Sequence, residues 1–98
     1  MTPAEELTAA ADKLTPLAET AQKELDTEEY WACYPKATAW HDGLTNGMGG
    51  ASGDLAGAIP PNAVIELTRW LRSAARAARE IGPDPHALAV ARTLLVQP

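Results

Sequence analysis

The stretch PNAVIELTRWLRSAARAAREIGPDPHALAVARTLL, residues 61–95, decides the fold. Val64, Leu67, Leu71, Ala74, Ala78 and Ile81 recur at alternating steps of three and four. Such spacing predicts one apolar face of a helix, held for about five turns and ~30 Å. Pro60-Pro61-Asn62 opens this arm, because proline is tolerated in a first turn where its missing N–H would be unpaired anyway. Gly82 supplies a left-handed C-cap and Pro83 forbids continuation. Asp84 then N-caps a second arm with Pro85 at its first helical position. Leu88, Ala91, Leu94 and Leu95 give that arm its own stripe. A corner this short makes the two helices neighbours, so residues 60–96 read as a helical hairpin.

Working outward to the N-terminus, Thr2-Pro3-Ala4-Glu5 is a capping box with proline at the first helical position. Leu7, Ala11, Leu14, Ala18, Ala21 and Leu25 carry one apolar register from there to about Glu28. Pro16 lies inside the repeat, loses one backbone hydrogen bond and predicts a kink. The register is the same on both sides, which favours one kinked helix over two. Half of the seam is alanine and it lasts about three heptads, so an intramolecular bundle is a better use for it than a coiled coil.

Between helix and hairpin, residues 29–59 read as an aromatic and glycine-rich connection. Four of the five aromatics, Tyr30, Trp31, Tyr34 and Trp40, fall within eleven residues, and Trp70 is the fifth. They either cap the alanine-rich bundle or anchor a protein partner, since Trp and Tyr dominate interface hot spots. Six of the seven glycines lie between Gly43 and Gly57. Residues 36–57 therefore read as an irregular, functional or disordered loop. Two local alternatives are a short helix around Trp40, starting at Ala37, and a further helical turn within Ala51–Ile59.

Ninety-eight residues suffice for one domain whose core hides about 65% of the unfolded chain's surface. The formal net charge of −5 is unevenly placed: residues 1–54 hold ten acids and three lysines, residues 55–98 three acids and five arginines. An acidic chain argues against general affinity for DNA or anionic membranes. The single cysteine, Cys33, cannot form an internal disulfide, which suits a reducing cytoplasm. No apolar run approaches the ~20 residues of a membrane span, and the acidic, amphipathic start does not read as a signal peptide.

Few residues carry recognisable chemistry. No lysine follows Lys36, so the glycines cannot complete a phosphate-binding loop. Gly47-Met48-Gly49-Gly50 lacks the strand and spacing of a dinucleotide fingerprint. Gly50-Ala51-Ser52-Gly53-Asp54 misses a nucleophile elbow, because an aspartate stands where the second glycine is required. Cys33, His41, Asp42 and His86 have no metal-ligand spacing, and a Cys33–His41 dyad would need a loop to bring the two together. The sequence thus points away from an enzyme, with no catalytic residue, metal or cofactor assigned.

Arg69, Arg72, Arg76 and Arg79 line one stripe of the first hairpin arm, read here as lying opposite its core face. Glu66 can pair with Arg69 and Arg76 with Glu80; otherwise the stripe is an anion- or partner-binding surface. A DNA-reading helix would have to be the second arm, which offers only His86, Arg92 and Thr93 among alanines.

Trp70-Leu71 with alanines on the next turn, followed by Gly82-Pro83-Asp84-Pro85-His86-Ala87-Leu88-Ala89-Val90-Ala91-Arg92, resembles the C-terminal part of small uncharacterised helical proteins of actinobacteria and their phages. The helix from Glu5 to Leu14 resembles their opening helix. The resemblance covers about half of the chain and implies an accessory role on a mobile element, with no site residues attached.

The expected architecture is all-α: a small bundle in a single domain, its kinked N-terminal helix (1–28) packed on the C-terminal hairpin (60–96) through a Gly-rich connecting loop (29–59). The expected function is a non-enzymatic, cytoplasmic protein–protein interaction module that binds and inhibits a host or defence protein. Tyr30, Trp31, Tyr34 and Trp40 are the expected anchors, with acidic steering from the N-terminal helix. The alternatives are a nucleic-acid-binding regulator using Arg69, Arg72, Arg76 and Arg79, or an acidic decoy presenting Glu5, Glu6, Glu19, Glu24, Asp26, Glu28 and Glu29. Alanine-lined stripes also leave room for a homodimer.

Overall fold

A computed structural model describes all 98 residues. The chain is all-α, with helices α1 (Pro3–Thr27), α2 (Glu29–Ala32), α3 (Ala39–Met48), α4 (Gly50–Gly57), α5 (Pro61–Ile81) and α6 (Pro85–Val96). Two compact units are distinguished, residues 1–17 with 65–98 and residues 18–64, with α1 and α5 contributing to both.

In the first unit the N-terminal helix packs on the hairpin. Leu7, Ala10 and Ala11 of α1 meet Leu71 and Ala75 of α5 and Ala87 and Ala91 of α6 in one buried cluster. Only Leu7 and Leu71 are large and fully enclosed. The alanines between them bring the helix axes close, and dispersion contacts stand in for bulk. Leu67, Ala74, Ala78, Val90, Leu94 and Leu95 pack against this core half-buried. Ile81, expected on the same face, is instead 86% exposed, because it ends α5 where the corner begins.

Local signals set the helix ends. Thr2 N–H donates to Glu5 Oε1 (2.9 Å) and Glu5 N–H to Thr2 Oγ1 (3.1 Å), the reciprocal capping box. At the corner Gly82 takes φ +89°, open to glycine at little cost. Asp84 Oδ1 accepts the His86 N–H at 3.0 Å and starts α6. Along α1 the helix continues through Pro16, and Thr15 Oγ1 donates back to Ala11 O at 2.7 Å on the turn that the proline ring interrupts.

Polar contacts fix the three helices in register. Arg92 Nε donates to the half-buried Glu6 (2.9 Å), tying α6 to α1. Lys13 Nζ donates to Leu94 O (2.6 Å), which also accepts the Gln97 N–H, and to Gln97 O, so α1 holds the C-terminal end of α6. Arg72 Nη1 donates to Asp12 Oδ1 (2.8 Å) and its Nη2 to Thr15 Oγ1 (3.3 Å).

The second unit overturns the reading of residues 36–57 as an irregular Gly-rich connecting loop. They form α3 and α4, two short helices turned back on each other at Gly49 (φ +71°) and Gly50 (φ +62°). The two local alternatives, a helix around Trp40 and helical turns within Ala51–Ile59, match what forms. The remaining glycines of this stretch sit one helical turn apart, Gly43 with Gly47 and Gly53 with Gly57. A Cβ on Gly57 would lie 3.1 Å from His41 Cα, so α4 approaches the α3 backbone where a side chain would hold it off. A Cβ on Gly43 would enter the Trp31 ring. Glycine composition signals flexibility in isolation; here it provides the close approach that packs two short helices and an indole.

Candidate partner-binding cleft

α2 is a single turn, and its residues and those just after it present the aromatic side chains to α3. Trp31 stacks on Trp40 with ring centroids 5.3 Å apart and planes 17° from parallel. Tyr30 meets Trp31 edge-on at 4.9 Å and Tyr34 at 6.0 Å. Three of the four polar tips have a partner. Tyr30 Oη donates to Gly43 O (2.6 Å), Trp40 Nε1 to Ala56 O (3.1 Å), and Asn46 Nδ2 donates to Tyr34 Oη (3.0 Å). Partial burial, then the neighbouring Tyr30 hydroxyl, raises the Tyr34 phenol above its ordinary pKa. The rings therefore pack the second unit as well as presenting surface.

What they leave open is a cleft of about 430 Å³, within the usual range for ligand sites. Trp31, Tyr34 and Trp40 line it together with Leu25, Ala32, Ala37 and Pro60. Asp26, Glu28 and Glu29 contribute carboxylates and Lys36 the single cation. Tyr30, 46% exposed, lies outside the lining. Three of the four expected anchors are thus brought to one concavity. Glu28 is the residue before α2, yet its side chain makes no capping bond. None of the three carboxylates has an ion-pair partner within the unit; Asp26 accepts only from Gln22 Nε2 at 3.1 Å. Sequence reading placed these acids on a steering surface or a decoy and missed their convergence with the indoles. The available signal was adjacency, since Asp26 to Trp31 spans only six residues.

The arginine stripe is divided. Arg69 pairs with Glu66 one turn away, as expected, and both are exposed. Arg72 is half-buried and bound to Asp12 and Thr15. The stripe therefore flanks the core face of α5 and does not lie opposite it, because α1 packs along that flank and supplies the acid. Arg76 and Arg79 are exposed without an ion pair, and the expected Arg76–Glu80 pair does not form.

Cys33 Sγ donates to Tyr30 O (3.3 Å), while His41 Nδ1 contacts Asp42 Oδ1 (3.1 Å), so these two side chains are engaged separately. Asp42 also accepts from Thr38 Oγ1 (2.7 Å), and the His41 and Thr38 contacts hold its carboxyl below the ordinary aspartate pKa. His86 follows Asp84 in the first turn of α6, exposed. No three His, Cys, Asp or Glu side chains group as metal ligands do, and no helix is long and apolar enough to cross a membrane. Comparison with protein-family models, curated proteins and solved structures found no match to this chain.

Proposed function

We propose that this chain is a non-enzymatic protein–protein interaction module whose partner seats in the cleft of residues 18–64. The observation that supports this reading is the convergence of Trp31, Tyr34 and Trp40 on one concavity of about 430 Å³. Rigid aromatic walls bury large area at small entropic cost, which is the anatomy of an interface hot spot. The resemblance of the hairpin to proteins of actinobacteria and their phages suits an accessory that binds and modulates a host protein. Reading nucleic acid through the arginine stripe has less support, since Arg72 is committed to Asp12 and Thr15.

Affinity capture from a nuclease-treated actinobacterial lysate tests the proposal. Wild-type chain is compared with Ala37→Trp, which fills the cleft from an exposed position, and with Trp70→Phe, which alters an exposed ring of the other unit. The expected result is one stoichiometric protein retained by wild type and Trp70→Phe and lost from Ala37→Trp. Retention by Ala37→Trp, or loss of every partner on nuclease treatment, overturns it.

A further inference from the structure

We infer that the cleft takes a basic segment of a protein partner, with an arginine or lysine side chain held between the indole wall and the carboxylates. This inference rests on the reading of the cleft as a protein-binding site and names the chemistry of its occupant. The lining sets Asp26, Glu28 and Glu29 against Lys36 alone, so the concavity is negative. The carboxylates have no ion-pair partner in the unit, and Glu28 does not use its side chain to cap the turn it precedes. The Glu28 and Glu29 side chains make no hydrogen bond either, and Asp26 accepts only from Gln22, so the two glutamates are free to meet an incoming cation without first breaking a bond.

The aromatic wall favours the same occupant. Trp31 and Trp40 are stacked on each other. Indoles attract cations more strongly than the other aromatic rings do, and arginine adds planar stacking to charge. Leu25, Ala32 and Ala37 offer apolar surface to the aliphatic stem of a long basic side chain. An acidic peptide would face three like charges. A wholly apolar one would bury those carboxylates unpaired, at a cost that disfavours it.

Indole fluorescence of the full chain carrying Trp70→Phe reports on Trp31 and Trp40 alone. The probes are a capped pentapeptide alternating leucine and arginine, its citrulline counterpart with the same shape and no charge, and tetramethylammonium. The arginine peptide is expected to give a saturable change that weakens as salt is raised, because ions screen exposed pairs. Glu28→Gln/Glu29→Gln is expected to weaken it about tenfold, in line with two charged contacts each supplying a fraction of a kcal/mol or more. Neither side chain makes a hydrogen bond within the unit, so the double variant is expected to keep the wild-type circular dichroism. Equal binding of the citrulline peptide, or an unchanged affinity in the double variant, overturns the basic-segment inference while leaving the cleft a protein site. Tetramethylammonium displacing the arginine peptide at the same concentration overturns it in favour of a small onium ligand. A cleft that no peptide enters, in a chain whose captured partner ignores Ala37→Trp, ends both this inference and the reading beneath it.

Discussion

Gly43 shows how much one missing methyl group can matter. It lies in the middle of α3, where glycine costs roughly 1 kcal/mol relative to alanine. Yet its Cα faces Trp31, and an added Cβ would fall 2.7 Å from Trp31 Cε3. The indole cannot easily retreat, because Trp40 stacks on it and Tyr30 abuts its edge. Gly47, one turn on, meets only Tyr30 Oη, at 3.1 Å, the far end of a half-exposed side chain. Gly43→Ala is therefore expected to destabilise the second unit by up to about 2 kcal/mol net and to alter the indole emission, since overpacking costs ~1–3 kcal/mol against the ~1 kcal/mol helix-propensity gain. Gly47→Ala is expected to be neutral or slightly stabilising. Thermal melts followed by circular dichroism and fluorescence measure both, and equal behaviour of the two variants would contradict the packing account.

Helix α1 illustrates the next scale, where an element is held by what happens at its ends and along its flank. Its start depends on the Thr2–Glu5 box, and the Thr2 backbone N–H, then the Thr2 side chain, lower the Glu5 pKa from its ordinary 4.5. A carboxylate with a lowered folded-state pKa contributes stability that is present above the unfolded value and lost as pH falls through the folded one. The first turn of α1 is thus expected to loosen on acidification below the usual glutamate range. Glu5→Gln keeps an acceptor for the Thr2 N–H and has nothing to titrate. The Thr2 amide resonance is expected to shift in the wild type as pH falls below the usual glutamate range, and to stay flat in Glu5→Gln. Farther along, Glu6, Asp12 and Lys13 each reach a different group on α5 or α6. Three contacts spaced along one helix define its rotation and height against the hairpin, which an alanine seam alone leaves loosely specified.

At the scale of the whole molecule, the small number of large buried side chains dominates. Leu7 and Leu71 alone are fully enclosed, and alanines fill the rest of the core. Leu71→Ala is expected to cost about 2–5 kcal/mol, the range for emptying an enclosed leucine site. Against the total of about 5–15 kcal/mol typical of a domain, that is a large fraction. The melting temperature is expected to fall by about 10 °C or more, at 4–8 °C per kcal/mol for a chain of this length. A drop of only a few degrees would mean that the alanine seam, and not the leucine pair, carries the stability.

Element type along most of the chain was legible in the sequence, because periodicity, caps and breakers act within a few residues. The box at Thr2, the stripe from Leu7 to Leu25, the corner at Gly82 to Pro85 and the three-helix core all follow from such local rules. Three things were decided only by tertiary structure. Glycines one turn apart read as flexibility until a ring or a backbone is seen against them, and that neighbour is distant in sequence for Gly57 and His41. Asp26, Glu28 and Glu29 read as part of a steering or decoy surface until the fold closes Trp31, Tyr34 and Trp40 around the same cleft. Arg72 changed meaning for the same reason, since its partner Asp12 stands 60 residues away and only helix packing brings it near. Propensity is a property of neighbours along the chain, whereas close approach and charge complementarity belong to neighbours in space. The sequence by itself thus determined α1, α5 and α6 with their apolar faces, and tertiary packing decided that the Gly-rich stretch folds as α3 and α4 and which side chains share a site.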